Sequence, residues 1–171
     1  MEFFEVIQNR RSMRSYAETA IEEEKVQQIL EAINRAPSAG NLQAFDVYVV
    51  RKLSLRQALV KAALDQEFLA EAPLTLVFCA NPARAVERYG SRGTSLYCIQ
   101  DATIACTFAM LAAQALGLDS VWVGAFDEQA VTDVLQLPET LRPVAMLPIG
   151  YAGKTPNLRP RRVLSDLIHE T

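Results

Sequence analysis

Residues 99–116 are apolar on nearly every side of a helical wheel, and this segment limits the possible folds more than any other. A helix lying on a domain surface buries a single stripe, whereas one that is apolar all round has to be enclosed on all sides. A chain of 171 residues is the size of one compact domain with one core, so this segment is predicted to be its central helix. A membrane span is the competing reading. Thr103, Thr107 and Gln114 interrupt the segment, basic residues do not closely flank it, and its unbroken apolar runs fall far short of the roughly 20 residues a span requires. The buried reading is preferred.

The remaining elements are predicted around that helix. Residues 2–9 read as a short helix, followed by the basic loop Arg10-Arg11-Ser12-Met13-Arg14. Val26, Ile29, Leu30 and Ile33 have amphipathic helical spacing, and Pro37 closes that helix. Ser38-Ala39-Gly40-Asn41-Leu42-Gln43 is a loop of small and amide side chains. Residues 47–50, 74–79, 120–124 and 144–149 read as strands. Ser54-Leu55-Arg56-Gln57 has the form of a capping box opening a helix, and Asp127 is placed to cap another helix that runs through Leu135. Residues 81–97 are polar and contain Gly90 and Gly93, which predicts a short helix inside a mobile crossing loop that forms a lid. Gly117 should cap the central helix, and a proline-rich basic stretch over residues 154–162 leads to a last short helix. Strands separated by long helices indicate an α/β or α+β domain.

Composition excludes several functional classes. Seventeen basic against twenty acidic residues leave a net charge of −3, so the total predicts no attraction to nucleic acid, and any anion site must be local. The three cysteines, Cys79, Cys98 and Cys106, form no C-x-x-C pair. Neither a disulfide framework nor a zinc site is indicated, and a reducing compartment fits best. Met1-Glu2-Phe3-Phe4-Glu5 has no basic region ahead of an apolar one, which predicts no secretory signal and a cytoplasmic location. The single histidine, His169, provides no Ser-His-Asp or Cys-His arrangement, and metal-ligand spacing is absent. Neither G-x-G-x-x-G after a strand nor G-x-x-x-x-G-K-[ST] occurs. A bound organic cofactor is the chemistry left.

Two basic segments give that cofactor an anchoring point. Arg10, Ser12 and Arg14 near one end and Arg159 and Arg161 near the other are the residue types that grip a phosphate, because guanidinium forks pair with phosphate oxygens in bidentate fashion and a hydroxyl adds a donor. Solvated surface charge is the other reading, and spacing alone leaves the two open.

Four ordered motifs carry a resemblance that runs almost end to end. They are Arg10-Arg11-Ser12-Met13-Arg14-Ser15-Tyr16, Ala36-Pro37-Ser38-Ala39-Gly40-Asn41-Leu42-Gln43, Trp122-Val123-Gly124-Ala125-Phe126 and Arg159-Pro160-Arg161-Arg162, joined by Tyr97-Cys98-Ile99-Gln100-Asp101-Ala102 at the start of the central helix. Together they resemble the nitroreductase family of FMN-dependent oxidoreductases. The resemblance implies one nitroreductase-like FMN-binding domain over residues 1–171. Its fold would be α+β, a mixed sheet flanked by helices, with the long central helix at a homodimer interface and two FMN sites shared between subunits.

On the matching positions the resemblance implies that Arg10, Arg11, Ser12 and Arg14 with Arg159 and Arg161 hold the phosphate and ribityl chain. Pro37, Ser38, Asn41 and Gln43 of the partner would pack on or bond to the flavin. Val123 and Gly124 would run beside the ring, with the Gly124 N–H near its reactive nitrogen and Gln66 at its pyrimidine edge. The implied activity is hydride transfer from NADH or NADPH through FMN to a small electron-poor acceptor, a nitroaromatic or a quinone, in a ping-pong cycle that needs no side-chain acid or base. Another reductive or oxidative task on the same fold, such as dehalogenation or dehydrogenation, stays open, as does a non-catalytic module that binds a phosphorylated metabolite. Two departures stand out. The chain is short for the family, and Ala44-Phe45 occupies a place where a proline is common after the glutamine.

Overall fold

A computed structural model describes residues 2–154, 156–157 and 159–171. Eleven elements give the frame: α1 (Phe3–Asn9), α2 (Glu23–Asn34), β1 (Phe45–Val50), α3 (Leu53–Ala62), α4 (Phe68–Glu71), β2 (Leu74–Ala80), α5 (Pro82–Arg92), α6 (Cys98–Ala115), β3 (Asp119–Ser120), α7 (Glu128–Leu135) and β4 (Arg142–Gly150). The four strands form one sheet in the order β1-β2-β4-β3. Every ladder in it is antiparallel, and its mixed character is confined to an isolated parallel bridge between Ser12 and Ser120.

Alternation along the central strands assigns the two faces. Leu74, Leu76 and Phe78 of β2 with Ala145, Leu147 and Ile149 of β4 face α2 and α6. Val77, Cys79 and Met146 face the other way, toward α3, α4 and α7. The result is a sheet between two helical layers, the expected α+β architecture.

Helix α6 sits on the first face through Ala102, Ala105, Cys106, Ala109 and Ala113, all fully buried. Small side chains at this spacing let the helix approach the sheet closely, and adding methylenes there would cost about 1–3 kcal/mol in overpacking. Gly117 ends the helix with φ +77°, and the Leu118 N–H reaches back to the Ala113 carbonyl at 2.9 Å, as expected for a glycine cap. The opposite face is only partly covered. Thr103, Ile104, Thr107, Phe108, Met110 and Leu111 are half-exposed, so this chain alone encloses one side of a helix that is apolar on both. Pro82–Ala115 is long and apolar enough to cross a membrane by length and composition, but its core-facing stripe is filled by the sheet and α2.

Four expectations are corrected. Residues 81–97 are not a short helix within a loop: α5 continues through one π-helical turn over Gly93–Tyr97 into α6. The glycines that suggested a loop do something else. Gly90 bends the helix (φ 53°, ψ −138°), and Gly93 lies so close to α5 that a Cβ would stand 2.6 Å from the Ala85 carbonyl oxygen. Second, residues 120–124 form no continuous strand. The ladder lapses after Ser120↔Ile149 and resumes only as the bridge Val123↔Met146. The shared register places Val121 opposite Pro148, which has no N–H to give. Third, Ser54 and Gln57 form no capping box, because α3 starts two residues earlier, with Lys52 at its N-cap. Fourth, the last helix is a single 3₁₀ turn over Leu164–Asp166. Asp127 does cap α7, accepting from the Ala130 N–H at 2.9 Å.

Candidate functional site

The sequence-predicted residues fall into two groups on this chain. The first is the loop that follows α2. Ser38 is extended, and Ala39–Asn41 make one 3₁₀ turn. Gly40, Asn41 and Gln43 all adopt left-handed backbone, with φ of 56°, 57° and 49°. For the two non-glycine residues this costs on the order of 1–2 kcal/mol each, and strain of this kind persists only where surrounding contacts impose it.

The principal contact is Asp101, in the first turn of α6 and 2% exposed. Its carboxylate accepts from the Ala39 N–H at 2.9 Å and the Ala44 N–H at 3.2 Å, clamping both ends of the loop. Ser38 Oγ accepts from the Gln43 N–H at 3.0 Å across the same turn. From outside, Arg84 Nε donates to the Leu42 carbonyl at 3.0 Å and Arg88 to the Gly40 carbonyl at 3.3 Å. A cavity of about 480 Å³ opens beside the loop, lined by Pro37, Ser38, Ala39, Tyr97, Gln100 and Thr103 among others. Ala44-Phe45 also gains a physical reason. A proline at position 44 would lack the N–H that Asp101 holds.

The second group is built by the two chain ends meeting beside β3. Met13 donates its N–H to the Ser120 carbonyl at 3.0 Å, which ties the Arg10–Arg14 loop to the sheet edge. Gly153 N–H to the Ser15 carbonyl at 2.8 Å, with the Tyr16↔Ala152 bridge, lays the C-terminal segment alongside. Arg11 donates to the Pro156 carbonyl at 3.0 Å. Arg10 is half-buried, and its guanidinium is held below the ordinary arginine value first by burial and then by the nearby positive charge of Arg161. Arg10 keeps its charge all the same, since arginine does not deprotonate in proteins. Among the described residues the four ion pairs use Lys25, Arg51, Lys61 and Arg142 as cations. Neither Arg10 nor Arg161 is among those cations, and the positive charge of Arg161 is felt at Arg10. Arg14 and Arg159 are exposed, as is Ser12.

Val123 and Gly124 follow on. Val123 is buried and exchanges two backbone hydrogen bonds with Met146, each 2.9 Å. Gly124 is exposed, and a Cβ built there would meet nothing closer than Trp122 Nε1 at 3.4 Å. Packing within the chain therefore does not demand a glycine. Gln66 Nε2 donates to the Ala63 and Ala125 carbonyls, both at 2.9 Å, so its amide nitrogen holds the 124–125 turn against the end of α3 and its amide oxygen is left to face outward contacts.

Among the described residues no hydrogen bond joins a member of the loop group (Pro37, Ser38, Asn41, Gln43) to a member of the arginine–glycine group.

The family model for the nitroreductase family matches residues 7–67 and 60–151, which runs from the end of α1 through β4 and takes in both groups except the C-terminal arginines. The chain belongs to the nitroreductase family. It is 31% identical over 182 residues to the FMN reductase [NAD(P)H] of Bacillus subtilis, covering 99% of this chain and 73% of that protein. To the NADH dehydrogenase of Thermus thermophilus it is 30% identical over 172 residues, covering 85% of this chain and 84% of the other. The solved structure of NfrA2 from B. megaterium superposes with a TM-score of 0.91 at 29% identity, covering 99% of this chain and 74% of that one.

Two positioning residues escaped the reading of the sequence. Asp101 was visible there only as part of a motif at the head of the central helix; the signal was a single carboxylate entering an otherwise apolar helix. Arg56 is buried in α3, and its guanidinium donates to the carbonyls of Ala70 and Ala72, which pins the segment after Gln66. Its position in a helix that otherwise buries Leu59, Val60 and Ala62 was the available sign.

Proposed function

We propose that two copies of this chain bind FMN between them and pass hydride from NADH or NADPH to a small electron-poor acceptor, a nitroaromatic or a quinone, with ping-pong kinetics. The observation that carries this reading is the meeting of the two chain ends beside β3, which brings Arg161 into the field of Arg10 with neither of them in an ion pair among the described residues. Such a pair suits a phosphate, whose oxygens take the bidentate forks of both. The residues also fit the ring of the cofactor. Gly124 presents an exposed backbone with no side chain, and Asn41 and Gln43 are held in strained conformations that present a loop of amides.

When bound, FMN supplies the two-electron chemistry, taking hydride from the donor and giving it to the acceptor. The chain's own residues bind, orient and exclude. Arg10, Arg11, Ser12, Arg14, Arg159 and Arg161 would hold the phosphate end, and Val123, Gly124 and Gln66 would line the ring. Pro37, Ser38, Asn41 and Gln43 would come from the second copy. Two features support the two-copy arrangement. No hydrogen bond joins the two groups within one chain among the described residues, and α6 leaves an apolar face half-exposed. Asp101, the carboxylate nearest the cavity, is already occupied by two backbone amides, so catalysis relies on the cofactor rather than on a side-chain acid. The three cysteines are free and buried, which suits a cytoplasmic setting.

Visible flavin absorbance in the purified protein, with oxidation of NAD(P)H that depends on a nitroaromatic or quinone, is the test. A colourless protein that neither quenches FMN fluorescence nor gains thermal stability on FMN addition rules the proposal out.

A further inference from the structure

Helix α5 carries Arg84, Arg88 and Arg92 against a single acid, Glu87, and all four are exposed. Arg84 and Arg88 lie one turn apart on the same face. Past the bend at Gly90 the chain folds Arg92 back onto Tyr97, with Arg92 Nε donating to the phenol oxygen at 3.0 Å.

These side chains make a continuous stack. The Arg88 guanidinium lies 5.5 Å from the Tyr89 ring centroid, the Tyr89 and Tyr97 rings meet edge-on at 5.1 Å, and Arg92 lies 5.4 Å from the Tyr97 centroid. The stack begins at the loop group, where a Cβ on Gly40 would stand 2.9 Å from an Arg88 nitrogen. It ends at Tyr97, which lines the cavity beside Pro37 and Ser38. None of the three arginines belongs to an ion pair among the described residues.

Cations alternating with aromatic planes match a ligand that alternates the same way. A planar heterocycle stacks on tyrosine or guanidinium, and phosphates beside it pair with the free guanidinium edges. An adenine dinucleotide has that chemistry, whereas a nitroaromatic or quinone has no phosphate to offer. From this juxtaposition we infer that Arg88 and Arg92, with Tyr89 and Tyr97 between them and Arg84 at the flank, receive the adenine and phosphate end of the nicotinamide donor. The inference rests on the reading of the site as an FMN-dependent reductase. It adds to that reading where the donor's non-reacting half lies and what makes the protein prefer a dinucleotide over a bare dihydronicotinamide.

The test uses FMN-loaded protein as the wild type, R88Q/R92Q and the charge-keeping R88K/R92K. Two donors are compared, NADPH and 1-benzyl-1,4-dihydronicotinamide, which has the reacting ring without adenine or phosphate. Calorimetric titration with NADP+ gives binding apart from turnover. In R88Q/R92Q the KM for NADPH and the dissociation constant for NADP+ rise about tenfold with little change in kcat, as expected for charge-assisted bonds at an exposed site. The KM for the benzyl donor moves less than about twofold, and R88K/R92K recovers only part of the NADPH affinity, because lysine keeps the charge but not the planar fork that stacks and pairs with phosphate.

Equal losses with both donors would assign the arginines to loop support alone and overturn the inference. Unchanged NADPH binding would overturn it too, as would an effect confined to an acidic acceptor such as nitrobenzoate. Failure of the wild type to hold FMN or to oxidise the benzyl donor would instead refute the underlying functional reading.

Discussion

Replacing Asp101 by asparagine separates what the loop contributes from what the core contributes. Asparagine keeps the size of the side chain. Its single carbonyl can serve either Ala39 or Ala44, and its NH₂ group then points at the other backbone N–H, donor against donor. In the wild type each amide bonds to a carboxyl oxygen, at 2.9 and 3.2 Å, in a site 2% exposed where water cannot substitute. A hydrogen bond to a charged group contributes about 1.5–3 kcal/mol, and an unsatisfied buried donor costs about 1–3 kcal/mol.

Losing one bond and weakening the other therefore gives a destabilisation of about 2–4 kcal/mol. With a urea m-value on the order of 2 kcal/mol per molar, the unfolding midpoint drops by about 1–2 M. The comparison is made at one protein concentration, because assembling chains have concentration-dependent midpoints. The left-handed conformations of Asn41 and Gln43 also lose their anchor, so FMN affinity, followed by quenching of flavin fluorescence, falls by about tenfold or more. A D101N protein that unfolds at the wild-type midpoint and binds FMN as tightly would refute the idea that this carboxylate shapes the loop.

Three further outcomes are expected. R10A/R161A loses FMN affinity by at least about 100-fold, from two charge-assisted contacts, with urea stability little changed; retention of flavin through gel filtration would reject the phosphate assignment. G124A folds with stability within about 0.5 kcal/mol of wild type, because a Cβ there meets only Trp122 at 3.4 Å, yet its flavin is bound or reduced more slowly in stopped-flow absorbance. L111D, which places a charge on the half-exposed face of α6, elutes as a monomer on gel filtration and loses FMN, whereas an unchanged elution volume would put the dimer interface elsewhere.

How far the sequence disclosed the fold varied with the kind of signal. Residues 99–116 were legible because their apolar character is long and unambiguous, and Asp127 and Gly117 because a cap is a local event decided by one residue. Residues 81–97 were misread because glycine was taken as a sign of a loop. The contact that makes Gly93 helical, its bare backbone against the Ala85 carbonyl, depends on packing that spacing does not reveal. The break after Ser120 depends on Pro148, 28 residues further along and across the sheet. The arginines and the amide loop were legible as groups. How the two chain ends are laid side by side, through the Met13–Ser120 and Gly153–Ser15 backbone bonds, was not, because such pairing depends on tertiary contacts far apart in sequence.

Sharing those two groups between copies has a consequence for the cell. Under the two-copy reading an unassembled chain offers either the phosphate grip or the amide loop to any one flavin, never both together, so a nascent or surplus monomer carries no competent redox centre. Electrons would then flow only where assembly is complete, and a half-built enzyme could not waste reduced nicotinamide on dioxygen.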